Sequence, residues 1–327
     1  MNSELDAAAK LRSRTGATDK GDPLSINRAP DKRIAPWVSR SMVAYAYQKG
    51  AETLEGALCN DAPYIRSAVG VDWTATTRDG DLAIRDETFL CGQHSTIMPL
   101  KYSGGIKVAG LMLRPGALRA LFGVNDGNML DRIVSIERGG VDDDEVTSLF
   151  DESLAPTAWL LRIENWLADF VKRTGVAEPD PIAQALELQA FVDPNGSLSK
   201  FAERQNVSLR TIERTAKRDF GLPPNQIMRR ARILDLAAKL CGVADQEDEE
   251  ITLRFFDQAH QIREFQIFFG MTPLEFQRNR SAILTLSLEI RQARRLELLD
   301  WIEPGAIRPW MRKPLLAARA QLNQTVN

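Results

Sequence analysis

The chain has 327 residues, enough for two domains and an extension, because single hydrophobic cores stop growing near ~250 to 300 residues. With 44% hydrophobic and 26% charged residues, its composition is that of a folded globular protein and excludes fibrous and wholly disordered classes. The net charge of −2 conceals a segment of opposite sign: between Ser197 and Leu240, ten Lys and Arg stand against four Asp and Glu, a local +6 that points to a polyanionic partner for this segment alone.

Residues 1–30, with Lys10, Arg12, Arg14 and Lys20 among small polar residues, read as a flexible tail. Neither a signal-peptide core nor an apolar run of about 18 residues occurs, which predicts a cytoplasmic protein without membrane association. The cysteines Cys59, Cys91 and Cys241 are odd in number and widely spaced. They imply neither a disulfide framework nor a zinc site, and no cofactor or metal is expected.

Over residues 31–145, short runs rich in β-branched and aromatic residues predict an antiparallel β-rich domain. These runs are Tyr64–Val71, Trp73–Thr77, Thr96–Tyr102 and Ile106–Leu113, punctuated by Gly70, Gly80, Gly92 and a Gly104-Gly105 hairpin signal. Arg114-Pro115-Gly116 opens a helix, Ala117–Phe122, stopped by Gly123. Asp142, Asp143, Asp144 and Glu145 suit the positive end of the next helix, a reading preferred to a metal site. Trp37, Tyr45, Tyr47, Tyr64, Trp73 and Phe89 supply either core or the walls of a small-molecule pocket.

Over residues 146–185, Leu149, Leu160, Ile163, Trp166, Leu167, Phe170 and Val171 recur at helical spacing, interrupted at Ala155-Pro156. One or two amphipathic helices result, packed on their own domain or forming a dimer seam. Gly175–Pro181, with two prolines, reads as a hinge.

In residues 186–280, Ser197 caps a helix bearing Leu198, Phe201 and Ala202, and Asn206 tolerates the left-handed turn that ends it. Ser208 starts a second helix with Ile212, Ala216 and Phe220 inward and Arg210, Thr211, Glu213, Arg214, Lys217 and Arg218 outward. This is a helix-turn-helix pattern, whose second helix enters the DNA major groove. Arginine suits that place because its planar fork can give two hydrogen bonds to guanine. Glu213 either accepts from cytosine or pairs with Lys217, and Lys217 and Arg218 hold phosphates. Gly221 ends this helix, and Pro223-Pro224 begins a longer one. Phe220, Gly221, Leu222, Pro224 and Ile227 recur 49 positions on as Phe269, Gly270, Met271, Pro273 and Phe276, and Arg214 recurs as Arg263.

Phe220-Gly221-Leu222-Pro223-Pro224, Phe256-Asp257-Gln258-Ala259-His260, Ile262-Arg263-Glu264-Phe265 and the closing Gly270-Met271-Thr272-Pro273-Leu274-Glu275-Phe276 resemble the DNA-binding domain of the AraC/XylS transcriptional regulators. The resemblance spans Phe191 to Arg280. It implies base contacts from Arg210, Glu213 and Arg214 in the first reading helix and from Gln258, Ala259, His260 and Arg263 in the second. Glu250, Arg254 and Gln261 put polarity where the family has small or apolar residues, which predicts a second reader less firmly held than the first.

Gly92-Gln93-His94, Gly110-Leu111-Met112-Leu113-Arg114-Pro115-Gly116-Ala117, Leu121-Phe122-Gly123-Val124 and Asp131-Arg132 resemble a companion domain in one branch of the same regulators, where it senses a small molecule or mediates dimerisation. The implied fold is α+β: an N-terminal antiparallel β-rich domain with flanking helices, then an all-α domain of two helix-turn-helix units joined by a long helix. The implied function is a transcription factor of the activator kind, with double-stranded DNA, a homodimer partner, a small-molecule effector and RNA polymerase as partners. Residues 281–327 lie beyond the family domain and read as a basic helical extension, with Arg291 and Arg295 on its basic side. A rival class is a DNA-repair or alkyl-transfer enzyme with a reactive cysteine, which needs a thiolate favoured by a neighbouring His or Arg.

Overall fold

A computed structural model describes residues 25–46, 53–103, 106–151, 153–244 and 258–302. Residues 1–24, the Gly104-Gly105 turn, Tyr47, Glu250, Arg254 and residues 303–327, on which several sequence expectations fall, lie outside the described residues.

The β-rich region contains β1 (Ser25–Arg28), β2 (Val38–Ala46), β3 (Thr53–Leu58), β4 (Tyr64–Ala68), β5 (Asp72–Thr77), β6 (Gly80–Ile84), β7 (Glu87–Cys91), β8 (Met98–Ser103), β9 (Ile106–Leu113) and β10 (Ile133–Ser135). They form two sheets, in the orders β1-β2-β9-β4-β7-β10 and β3-β8-β5-β6. Neighbouring strands run antiparallel, with Tyr64 opposite Met112 on one side and Cys91 on the other. Side chains alternate across β4: Tyr64 and Ala68 enter the core between the sheets, while Ile65 enters the core on the outer face of the larger sheet. Both faces of β4 are covered, so all five of its residues are buried, Arg66 and Ser67 included. β2 was hidden from sequence reading by Ser39, Arg40 and Ser41, which are buried but satisfied by Met112, Asn27 and Glu164.

Two helices follow as the turn chemistry dictates. α1 (Ala117–Phe122) is stopped by Gly123 at φ 67°, and α2 (Asp143–Thr147) is capped by the Asp142 carboxylate, which accepts from the Asp144 N–H. No cluster of metal-ligating side chains is found among the described residues. The helical run breaks between Thr147 and Pro156, and Ala155-Pro156 restarts it: Pro156 is the first residue of α3 (Pro156–Thr174), where its missing N–H costs nothing. α3 lays Trp159, Leu160, Ile163 and Leu167 on the outer face of the larger sheet, so its apolar stripe is used within its own domain. The exposed positions of α3 are Leu161, Arg162, Asn165, Asp169, Lys172, Arg173 and Thr174, polar but for the first.

The C-terminal region comprises α4 (Pro181–Val192), α5 (Leu198–Arg204), α6 (Leu209–Asp219), α7 (Pro224–Leu240), α8 (Gln258–Phe269), α9 (Pro273–Asn279) and α10 (Ala282–Ile302). One core joins α4 to α7 through Leu186, Phe201, Ile212, Ala216, Phe220 and Ile227. A second joins α7, α8 and α9 through Leu234, Ala237, Phe265, Phe268, Phe269 and Phe276. Within it, Phe269 lies 4.5 Å from Phe265 and 4.7 Å from Phe276, ring centre to ring centre. Such pairs add roughly 0.5 to 1.5 kcal/mol each beyond the area they bury.

The last helix corrects the expectation of a basic outward face. Arg291, Arg294 and Arg295 of α10 are buried, and the helix lies between the sandwich and the helical region. Arg291 reaches Asp61 of the β3–β4 connection and Asp235 of α7 at 2.7 and 2.6 Å, and Arg294 reaches Glu187 of α4 at 2.6 Å. The basic spacing was legible in the sequence; the carboxylates that absorb it are distant in the chain.

Candidate nucleic-acid interface

Each turn of the first helix-turn-helix unit is fixed by a local side chain. Ser197 accepts from the Lys200 N–H and Ser208 from the Thr211 N–H, so both helices start with a satisfied donor. Asn206 adopts φ 52° between them, and Gly221 closes α6 at φ 71°. With Ile212 and Ala216 fully buried, the opposite side of α6 must face water. Arg210, Glu213, Arg214 and Lys217 stand exposed there together. α6 thus presents three cations and one carboxylate on a helix whose orientation is set by its core.

The other first-unit candidates are placed differently. Thr211 is half-buried with its hydroxyl 3.0 Å from that of Ser208, as part of the cap. Arg218, expected on a phosphate, is half-buried and paired with Asp180 at 2.5 Å and with the fully buried Asp219. Arg119 of α1 also approaches Asp219, at 3.5 Å. The last turn of α6 is therefore where the two regions meet, through Arg119 and Asp219, while the charge of Arg218 is taken up by Asp180, the cap of α4, and by Asp219. Sequence reasoning had no signal for this, because Asp180 and Arg119 lie 38 and 99 positions upstream of Arg218.

In the second unit, Ala259 and Arg263 of α8 are exposed, and Gln258 begins the helix. His260 is half-buried with Nε2 3.3 Å from Oε1 of Glu264, which Arg229 of α7 also reaches at 2.8 Å. Glu264 is the buried acid here, and it ties the reading helix to α7. Gln261, expected to intrude on the core, is only half-buried, and four phenylalanines close the core without it. Thr272 and Glu275 form a reciprocal capping box that starts α9. α7, the strut between the units, runs about 25 Å for its 17 residues.

The Gly-Gln-His run forms the principal dock between the two regions. Arg230 of α7, fully buried, donates to the Gln93 side chain at 2.6 Å and to the His94 and Asp61 carbonyls at 3.0 Å. The Gln93 amide donates in turn to the Asp219 carbonyl at the end of α6. Burial beside the cations Arg66 and Arg230 pushes the His94 pKa down to about 3, so its ring is neutral. Asn60 lies against both ring nitrogens, its backbone N–H 3.2 Å from Nδ1 and its side-chain amide nitrogen 3.3 Å from Nε2; a neutral ring accepts from one of the two.

Between the sheets lies a cavity of about 50 Å³. Tyr64, Trp73 and Phe89 line it, as the aromatic content suggested, whereas Trp37 sits in the outer core and donates to the Ala177 carbonyl. Among the described residues, Arg66 is the one charged side chain in the wall, which Ile283, Leu286, Ser287 and Ile290 of α10 help to close. Cys59, Cys91 and Cys241 are all buried, and burial pushes each thiol up in pKa, Cys241 to about 11. That is the reverse of what a thiolate nucleophile needs.

No curated protein matches the sequence. Among solved structures, an apo variant of ToxT from Vibrio cholerae is similar at a TM-score of 0.44 and 11% identity, covering 78% of this chain and 100% of that one. Another structure of ToxT from Vibrio cholerae gives 0.44 and 9%, covering 72% and 97%. The unsaturated fatty acid bound wild-type ToxT gives 0.43 and 11%, covering 79% and 99%. Residues 201–279 match the model of a helix-turn-helix domain. The match runs from the middle of α5 to the end of α9 and so takes in both capped units and the strut between them. The match shows a helix-turn-helix domain at residues 201–279, within the segment whose motifs resemble the AraC/XylS DNA-binding domain.

Proposed function

We propose that the chain is a sequence-specific regulator in which α6 reads bases through Arg210, Glu213 and Arg214 while Lys217 holds a phosphate. The observation that carries this reading is the exposed row of those four side chains on a helix fixed by caps at its start and a fully buried inner face. α8 makes the second contact through Arg263 and the neighbouring Gln258, Ala259 and His260, with α7 spanning the space between grooves. Fluorescence anisotropy with the chain's own upstream DNA should show tight, steeply salt-dependent binding. Equal affinity for random duplex at moderate salt would overturn it.

A second reading concerns control. The cavity wall combines apolar side chains with Arg66, which has Asn60 and Cys91 as polar partners and no carboxylate, and with Trp73, whose buried indole N–H meets no acceptor among the described residues. An apolar molecule with one anionic group satisfies both donors, so an effector of that class fits. Thermal unfolding with octanoate or phenylacetate, against octanol or phenylacetamide, tests it: stabilisation by the anions alone, abolished by Arg66→Gln, is the expected result.

A further inference from the structure

α10 belongs to two cores and is bolted to a third element. Ile283, Leu286 and Ile290 enter the core between the sheets. Leu284 and Leu288, on the adjoining side of the helix, enter the core of the second helix-turn-helix unit beside Phe265, Phe268, Phe269 and Phe276. Arg291 fastens the same helix to Asp61 on the sandwich side and to Asp235 on α7. The first unit's core, by contrast, contains no residue of α10. The two units repeat in sequence, yet their apolar cores are closed differently: the first by its own helices, which α10 reaches through its arginines, Arg294 to Glu187 and Arg295 to the Phe191 carbonyl, and the second by apolar side chains of a helix seated in the sandwich.

We propose that α10 makes the second reader conditional on the sandwich, so that loss of the seat of Leu286 and Ile290 between the sheets withdraws Leu284 and Leu288 from the second unit and removes the second DNA contact while the first persists. The physical cause is the rigidity of a helix: residues one or two positions apart on it cannot move independently. Packed cores have discrete arrangements rather than continuous ones, so a shift at one face is transmitted to the other. This inference rests on the reading of α6 and α8 as two DNA-contacting helices. Because the same residues form a wall of the cavity, any molecule entering it presses on the helix that holds the second reader.

Hydroxyl-radical footprinting of the full chain on its own upstream DNA separates the possibilities. The unsubstituted protein should protect two patches about one helical turn apart. Leu286→Asn and Ile290→Asn, which touch only the sandwich side, should lose one patch and keep the other, with affinity reduced about tenfold or more; Leu286→Met should keep both. A folded Leu286→Asn or Ile290→Asn protein, verified by circular dichroism, that protects both patches overturns the inference alone. An unsubstituted protein that protects one patch or none overturns the two-reader reading and the inference with it. Should both variants fail to fold, native-state hydrogen exchange on the unsubstituted chain decides: α8 and α9 should open together with α10, and protection of α8 and α9 outlasting that of α10 overturns the inference.

Discussion

Arg291 on α10 donates from Nη1 to Oδ1 of Asp235 on α7 at 2.6 Å, with both side chains withdrawn from water. Its Nε holds Asp61 at 2.7 Å, so one guanidinium joins carboxylates from the sandwich and the strut. Removing one member of a buried pair strands the other, at a cost of about 3 to 5 kcal/mol. Asp235→Ala should lower unfolding free energy by that amount in urea titration. A loss below about 1 kcal/mol would show that the pair is replaceable by water.

Arg214 and Lys217 separate base reading from phosphate holding. Arg214→Ala should cost about 1 to 3 kcal/mol at one base-pair position and relax preference there. Lys217→Ala should weaken all duplexes alike and reduce the salt slope by about one. Competition binding with single-position variants of the duplex reads both, and a uniform loss for Arg214→Ala would reassign it to the backbone.

Gly127 tests the dock at the end of the reading helix. A Cβ there would stand 2.5 Å from the Lys217 carbonyl oxygen, a backbone atom that cannot swing aside. Gly127→Ala should therefore destabilise the chain by about 1 to 3 kcal/mol, as overpacking does. Proteolysis within residues 175–181 should also quicken. Unchanged cleavage would mean that the turn yields without loosening the dock.

His94 sets a pH dependence with a definite sign. Its pKa falls from 6.5 to about 3 on folding, so the unfolded chain binds the proton first. The stability this group confers is complete above about pH 6.5 and is lost as pH falls toward 3, by at most about 1.4 kcal/mol per pH unit. His94→Gln should flatten the slope between pH 6.5 and 5, where most carboxylates do not yet titrate. An unaltered slope in chemical denaturation over that window would place the titration elsewhere.

Cys59, Cys91 and Cys241 are buried with raised thiol pKa values, so a thiol reagent at neutral pH should label none of them in the folded chain and all after denaturation. Fast labelling of a single native cysteine would revive the alkyl-transfer reading.

The C-terminal helices were legible because their signals are local. Ser197, Asn206, Ser208, Gly221 and Pro224 each act on a backbone group within a few residues, and Ile212, Ala216 and Phe220 mark one face by spacing alone. Strands β4, β5, β8 and β9 were found for the same reason, β9 with the expected bounds and the others with one or both ends shifted by one to three residues. β2 was missed because Arg40 is polar in sequence and buried in the fold, where Asn27 and Glu297 satisfy it.

What the sequence determined by itself was therefore the helix-turn-helix units, the exposed basic row of α6 and the β-rich character of the N-terminal half. The tertiary structure alone decided which charges remain available: Arg218 goes to Asp180, Arg229 to Glu264, and the arginines of α10 to Asp61, Asp235 and Glu187. Capping and periodicity act over a few residues along the chain. Charge pairing and core closure act through space between segments up to 257 positions apart, and nothing in local spacing encodes that meeting.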